Sequence, residues 1–123
     1  MSDRTRINVF GTVPAKKLEE FKSLRKEMVA RATAEDSGTL SYEWFFEGEE
    51  ETEFRILAVF ESSDAMLTYL KRAEASGHGK RFLEACEMTK GEVFGNLSDA
   101  LRDEFEPWRD VIHYYRPADG FTR

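Results

Sequence analysis

Apolar and polar residues alternate along two segments of the chain, which predicts two β-strands, and two later segments are also predicted to be strands. The segments are 7–13, 40–46, 54–61 and about 88–94. Alternation places successive side chains on opposite faces of a sheet, so each strand has two distinct surfaces. The third segment is apolar on both surfaces. Its short connection to the second segment predicts an antiparallel hairpin.

Two further segments repeat apolar residues at three- and four-residue steps, which is typical of amphipathic helices. The first begins near Pro14, and its apolar stripe comprises Leu18, Phe21, Leu24, Met28, Val29 and Ala32. The second follows the potential capping residues 62–64 and breaks at 76–79, after which a short helical piece leads to the fourth strand. The order β-α-β-β-α-β predicts an α+β, ferredoxin-like fold with an antiparallel sheet and both helices on one face.

The sheet face away from the helices also carries apolar side chains. Phe10 and Phe45 point opposite to their apolar neighbours, and a monomer would expose them with the outer surface of the third strand. A homodimer in which two sheets face each other would enclose this surface, and symmetric dimers are the commonest oligomers.

The chain continues beyond this unit, so we expect a domain at 1–96 and a C-terminal extension at 97–123. Ser98 can cap a short helix carrying Leu101, Phe105 and Trp108, and 111–115 has strand-like composition. The extension is too apolar for a disordered end. It is expected to pack on the domain or across the dimer, and the alternative is a lid over an active site.

Composition narrows the possible functions. A chain of 123 residues that is 41% hydrophobic suits one domain, and a net charge of −6 without a basic stripe argues against nucleic-acid binding. We expect no membrane span, because no 18 apolar residues follow one another, and a cytoplasmic location, because no signal-peptide pattern follows the N-terminus. With two histidines, one cysteine (Cys86) and no glycine-rich nucleotide loop, the sequence predicts neither a metal site nor a cofactor.

Three stretches carry a resemblance to a known family: Ser-Gly-Thr-Leu-Ser-Tyr-Glu-Trp at 37–44, Phe-Glu-Ser-Ser-Asp-Ala at 60–65, and His-Gly-Lys-Arg-Phe at 78–82. At this spacing the segment 6–95 resembles the antibiotic biosynthesis monooxygenase (ABM)-like domains of the dimeric α/β-barrel superfamily and is similar to quinol monooxygenases. The resemblance implies a homodimer. The family also includes haem-degrading enzymes and members without known activity, so membership alone does not define the chemistry.

The first functional hypothesis is a cofactor-independent monooxygenase that oxidises a small hydroquinone or polycyclic phenol with molecular oxygen. Such a substrate can itself transfer an electron to oxygen, so the protein need only bind it in a dry cavity, orient it and help to remove a proton. His78 is the predicted catalytic proton acceptor, since histidine titrates near neutral pH. The alternative is a loop or helix-cap histidine held between Gly77 and Gly79 for backbone reasons.

Five residues are candidates for substrate binding. Asn8 and Phe10 are expected to face the cavity, where the Asn8 amide could bind a substrate oxygen, another side chain or a water. Tyr42 and Trp44 share one strand face and either pack beneath the helices or, with the faces reversed, stack on a flat aromatic ligand. Tyr69 on the second helix completes the set.

Two other functions stay open. A non-catalytic dimeric module that binds a small apolar molecule is favoured by the few ionisable groups expected in the cavity. For a haem-binding or haem-degrading relative, the resemblance implies an Asn on the first strand, a Trp on the second helix and a His beyond it. This sequence has Asn8, Tyr69 and His78, so the indole is replaced. Glu43 and Arg55 are predicted to pair across the hairpin.

Overall fold

A computed structural model of the chain describes residues 3–121 and 123. This part of the chain contains five strands and four α-helices, with 3-10 turns at Ala15–Lys17 and Glu106–Trp108. The strands are β1 (Thr5–Thr12), β2 (Thr39–Glu47), β3 (Glu53–Phe60), β4 (Glu87–Phe94) and β5 (Ile112–Tyr115). The helices are α1 (Leu18–Glu35), α2 (Ser63–Ala75), α3 (His78–Ala85) and α4 (Asp99–Glu104). Of these described helices, none is long and apolar enough to cross a membrane.

The strands form one sheet in the order β2-β3-β1-β4-β5. β1 lies between β3 and β4 and pairs with both in antiparallel fashion, and β2 pairs antiparallel with β3. The predicted α+β ferredoxin-like fold is therefore confirmed. β5 adds a fifth strand that runs parallel to β4, with Ile112 opposite Gly91.

The core lies between one face of the sheet and the helices. Phe60 of β3, Phe21 of α1 and Met66 of α2 are 0% exposed. The Phe21 ring lies 4.8 Å from that of Phe54 and 5.6 Å from that of Trp44, between ring centroids. Burying each such side chain contributes roughly 1.5–3 kcal/mol, so this aromatic cluster is a main stabilising contact between α1 and the sheet.

Serine side chains begin two of the helices, as the sequence predicts. The Ser62 Oγ accepts a hydrogen bond from the Ala65 N–H at 3.1 Å, and the Ser98 Oγ accepts one from the Leu101 N–H at 3.2 Å. The Ser98 N–H also donates to the Ser63 Oγ at 2.9 Å. Each cap is typically worth about 1 kcal/mol, and the Ser63–Ser98 contact joins the starts of α2 and α4.

The break after α2 is shorter than predicted. α2 ends at Ala75, and α3 already begins at His78, so only two residues separate the helices. Gly77 caps α3 with a φ of 81°, a left-handed conformation that favours glycine. His78 is thus a first-turn helix residue, not a residue of an open loop.

The C-terminal extension packs on the domain of the same chain. Leu101, Phe105 and Ile112 are at most 6% exposed and belong to the main core. The Ile112 side chain of β5 lies over Gly91 of β4, where no side chain stands in its way. A Cβ at Gly91 would stand 2.3 Å from the Cδ1 of Ile112.

The sheet face opposite the helices is called the open face here, and it is uncovered in the single chain. Phe45 and Leu57 are 45% and 40% exposed on it. The predicted ion pair between Glu43 and Arg55 is wrong, because the strand register sets Arg55 opposite Phe45 and Glu43 opposite Leu57. The Arg55 guanidinium instead lies 4.0 Å from the centroid of the Phe10 ring.

Candidate functional site

A cavity of about 550 Å³ lies between the sheet and the helices. β1 and β3 form its floor, α2 and α3 its sides, and Phe105 and Trp108 of the extension complete its wall. The floor residues are Ile7, Val9, Ile56, Ala58 and Phe60. Sites for small ligands in proteins typically have a volume of about 300–1,000 Å³ and mostly apolar walls. This cavity fits both criteria.

Two tyrosines supply hydroxyl groups to this apolar cavity. The Oη atoms of Tyr42 on β2 and Tyr69 on α2 are 2.7 Å apart, a hydrogen bond in which either atom can be the donor. We call these two groups the hydroxyl pair. While both are neutral, one O–H donates within the pair, and the other hydrogen is left to donate to a third oxygen. The pair can therefore bind one ligand oxygen.

Burial keeps the hydroxyl pair neutral. It raises the pKa of Tyr42 well above the usual value, and the adjacent Tyr69 hydroxyl adds to that rise. The pKa of Tyr69 is raised as well, again mainly by burial. The hydrogen bond from Tyr42 and the positive charge of Arg31 oppose this rise. Loss of a proton from an apolar site is costly because the charged form loses its hydration.

An ion-pair network centred on the buried Asp36 lies behind Tyr69. The Arg31 guanidinium is 5.4 Å from the centroid of the Tyr69 ring, and its Nη1 donates to the Asp36 carboxylate at 3.0 Å. The second carboxylate oxygen of Asp36 accepts from Arg72 at 2.7 Å. Sequence reasoning missed this network, because Arg72 lies 36 residues beyond Asp36 and no local pattern connects them.

Charged side chains surround the mouth of the cavity, and we call them the rim. Glu74, Lys80 and Glu84 are exposed lining residues, and Glu104 is half-buried. Glu104 also pairs with Lys71 at 3.0 Å, which ties α4 to α2 beside the opening. The rim is net acidic, so it disfavours ligands that carry a carboxylate or phosphate at this end.

The structure brings together only part of the predicted site. Tyr42 and Tyr69 line the cavity. Trp44 packs in the aromatic core under the helices, 6.0 Å from Tyr42 between ring centroids. Asn8 and Phe10 alternate with the floor residues of β1 and therefore lie on the open face. This division could not be read from the strand pattern, since both sheet faces carry aromatic residues.

His78 contacts α1 and does not line the cavity. Its Nε2 is 3.7 Å from the Glu27 carboxylate, which also accepts two hydrogen bonds at 3.0 Å from Arg81. The adjacent residues Gly79 and Lys80 do line the cavity. A catalytic role for His78 stays a prediction that this position does not support. Asn8, Tyr69 and His78 likewise do not surround one cavity, as the haem hypothesis requires.

The remaining candidates for covalent or metal chemistry are weak. The Cys86 thiol donates to the Phe82 carbonyl at 3.1 Å, and burial raises its pKa to about 12. A thiol in this state is a poor nucleophile, because the thiolate is the reactive form. Within residues 3–121 and 123, no three His, Cys, Asp or Glu side chains are grouped in a way that could hold a metal ion.

Comparison with known proteins places these features in a family context. The family model described as antibiotic biosynthesis monooxygenase matches residues 5–85. No curated protein matches the sequence of the chain.

Several solved structures share the fold. MupZ from Pseudomonas fluorescens is 18% identical with a TM-score of 0.78, over 100% of this chain and 91% of that one. SnoaB, a cofactor-independent oxygenase from Streptomyces nogalater, is 16% identical with a TM-score of 0.63, over 79% and 96%. A conserved protein of unknown function from Bacteroides thetaiotaomicron is 23% identical with a TM-score of 0.66, over 76% and 98%. At these identities the likeness concerns the fold.

Proposed function

Since the chain belongs to the antibiotic biosynthesis monooxygenase family, we propose that it is a cofactor-independent monooxygenase of small hydroquinones or polycyclic phenols. The observation that carries this proposal is the apolar cavity of about 550 Å³ with the hydroxyl pair of Tyr42 and Tyr69 in its lining. A fused aromatic ring fills an apolar cavity of this size, and its phenolic oxygen accepts the remaining hydrogen of the pair. The acidic rim favours substrates without a carboxylate.

The reaction balances without an external reductant. A hydroquinone and one O₂ give a hydroxyquinone and one water, so the substrate supplies all four electrons that reduce O₂. One oxygen atom forms a new bond to a ring carbon, and the other leaves as water. The reacting form is the phenolate, and the phenol gives its proton to water at the rim before the ring enters the cavity. The hydroxyl pair stabilises the phenolate by a hydrogen bond in a site from which water is excluded.

Oxygen uptake by the metal-free protein tests this proposal. Hydroquinones and tricyclic phenols are supplied with a chelator present, and the rate without enzyme is subtracted as autoxidation. We expect Tyr42→Phe to lower kcat/KM about tenfold or more, because it removes a donor to developing charge. Tyr114→Phe is the matched control, since Tyr114 has an arginine, Arg102, 4.9 Å from its ring but does not line the cavity. Uptake by the folded protein no faster than autoxidation contradicts the proposal.

A non-catalytic binding module is the second candidate. It is favoured by the chemistry of the hydroxyl pair, because two neutral phenols bind an oxygen well but are weak proton acceptors. Trp108 lines the cavity, so quenching of tryptophan fluorescence reports ligand binding directly. Saturable quenching by an aromatic ligand without oxygen uptake supports the module and excludes the oxygenase for that ligand.

We also propose that the protein is a homodimer assembled through its open faces. Phe45 on the edge strand β2 and Leu57 on the neighbouring β3 are exposed on this face, and the Tyr115 ring stacks on Phe94 at 4.9 Å near the opposite edge. A second copy would bury these side chains around a twofold axis. The cavity lies on the other face of the sheet, so each protomer would hold its own substrate.

A further inference from the structure

We propose that Arg31, held by Asp36, is a positioning residue that fixes the Tyr69 ring and stabilises negative charge at the hydroxyl pair. Its consequence for turnover rests on the proposed function. Its effect on the two tyrosines can be measured on the protein alone, without a substrate.

The burial of Arg31 is the first argument. Its side chain is 8% exposed, yet only one of its guanidinium nitrogens, Nη1, has a hydrogen-bond partner. Nε and Nη2 are buried and have no partner among the residues that the structure describes. Burying unsatisfied donors of a charged group is costly, so hydrogen bonding alone does not account for this position. The contact of the cation with the face of the Tyr69 ring is the interaction that remains.

The position of Asp36 is the second argument. Its side chain is 2% exposed, and each carboxylate oxygen accepts from a different arginine, Arg31 or Arg72. Its own N–H donates to the Ala32 carbonyl at 3.0 Å, which ends α1. Arg72 is one helical turn beyond Tyr69 on α2. The network therefore joins the end of α1 to α2, and within it Asp36 holds Arg31 against the Tyr69 ring through an oxygen that Arg72 does not use.

The charges near the hydroxyl pair determine whether its ionised form is favoured or disfavoured. Arg31 from α1 and Asp36 beyond its end act on Tyr69 in opposite directions, and Arg31 is the group that favours its ionised form. Arg31 acts on Tyr42 of β2 in the same direction. Arg31 and Asp36 lie behind Tyr69, and the charged residues that line the cavity itself are those of the rim: Glu74, Lys80, Glu84 and Glu104. A cation behind the ring makes the phenol a stronger hydrogen-bond donor, and a stronger donor stabilises a substrate phenolate better.

Ultraviolet titration of tyrosinate tests the inference. Absorbance is recorded immediately after an alkaline pH jump, before unfolding, and Tyr42→Phe and Tyr69→Phe assign the signals among the four tyrosines. We expect Arg31→Met to raise the titration midpoint of the pair by about one pH unit, the lower end of the effect of a nearby opposite charge. Arg31→Lys keeps the positive charge, so its titration midpoint should lie close to that of the wild type. If Arg31→Met does not fold, Arg31→Gln replaces it.

Arg72→Met is the matched control. It removes the other guanidinium from the same carboxylate but leaves Arg31 at the Tyr69 ring, so the titration should stay at the wild-type midpoint. An unshifted Arg31→Met overturns the inference. An equal shift in Arg72→Met also overturns it, because the effect would then be a general loosening around Asp36.

The same variants separate this inference from the proposed function. In an active enzyme, Arg31→Met should lower kcat about tenfold and move the alkaline limb of the pH profile upward, with KM little changed. A shifted titration in a protein that consumes no oxygen overturns the proposed function and supports the electrostatic role of Arg31.

Discussion

At the scale of single residues, the two members of the hydroxyl pair depend on each other. A buried hydroxyl without a partner costs about 1–3 kcal/mol, and each tyrosine removes this cost for the other. The sequence indicated both as candidates, Tyr42 for stacking on a flat aromatic ligand and Tyr69 because it replaces the Trp that the family resemblance implies on the second helix. It could not show their contact, since 27 residues separate them and the contact depends on how α2 crosses the sheet.

The hydroxyl pair should make stability sensitive to alkaline pH. Because the pKa of Tyr42 is raised in the folded protein, the unfolded chain loses this proton first, at its ordinary value of 10.0. The contribution to the free energy of unfolding is therefore complete below that pH and is lost as the pH rises toward the folded pKa. Tyr42→Phe should show a smaller decline above pH 10.0 than the wild type does, as measured by urea denaturation at neutral and alkaline pH. An equal decline in both proteins contradicts this expectation.

At the scale of elements, periodic patterns predicted which strands and helices form. They did not predict which side chains contact each other, because those contacts depend on how the elements pack. The strands and the two long helices lie close to their predicted ranges, because amphipathic repeats follow directly from burial on one side. The Glu43–Arg55 pairing failed because a difference of two residues in the strand register exchanges the partners. His78 was expected in a longer break, and Gly77 alone proved sufficient to turn the chain into α3.

The contact between β4 and β5 gives an element-scale prediction. Gly91→Ala should destabilise the protein by about 1–3 kcal/mol, because the new Cβ overlaps the Cδ1 of buried Ile112, whose side chain must move out of its packed position. Ile112→Val removes that Cδ1, so the double variant should recover part of the loss in excess of additivity. Thermal unfolding of the four proteins in the cycle measures this coupling. Strict additivity would show that the two positions do not interact.

At the scale of the whole molecule, the sheet separates a face that lines the cavity from a face that is exposed in the single chain. The face under the helices holds the cavity, and the open face holds exposed Phe45 and Leu57. The sequence indicated that both faces are apolar, which is why a dimer was expected. It could not tell which face contains the cavity, because α3 and the extension complete that space and their positions depend on contacts with residues distant in the sequence.

The open face gives a prediction about assembly. Leu57→Glu should convert the proposed dimer to a monomer, because a carboxylate of each protomer would be buried in the interface. Leu83→Glu is the control, since Leu83 is similarly exposed, at 44%, but lies on α3 on the helical side. Sedimentation velocity of both variants measures the mass. A dimeric Leu57→Glu protein would place the interface elsewhere.

The wall that Phe105 and Trp108 contribute to the cavity has a consequence for synthesis. Translation proceeds from the N-terminus, and the floor and sides of the cavity belong to residues that leave the ribosome earlier. A nascent chain that has reached only the end of β4 lacks the part of the cavity wall that Phe105 and Trp108 supply, so its apolar groove is wider than the finished cavity. During biogenesis, the ability to enclose a ligand therefore arrives late, when residues 105–108 emerge and dock.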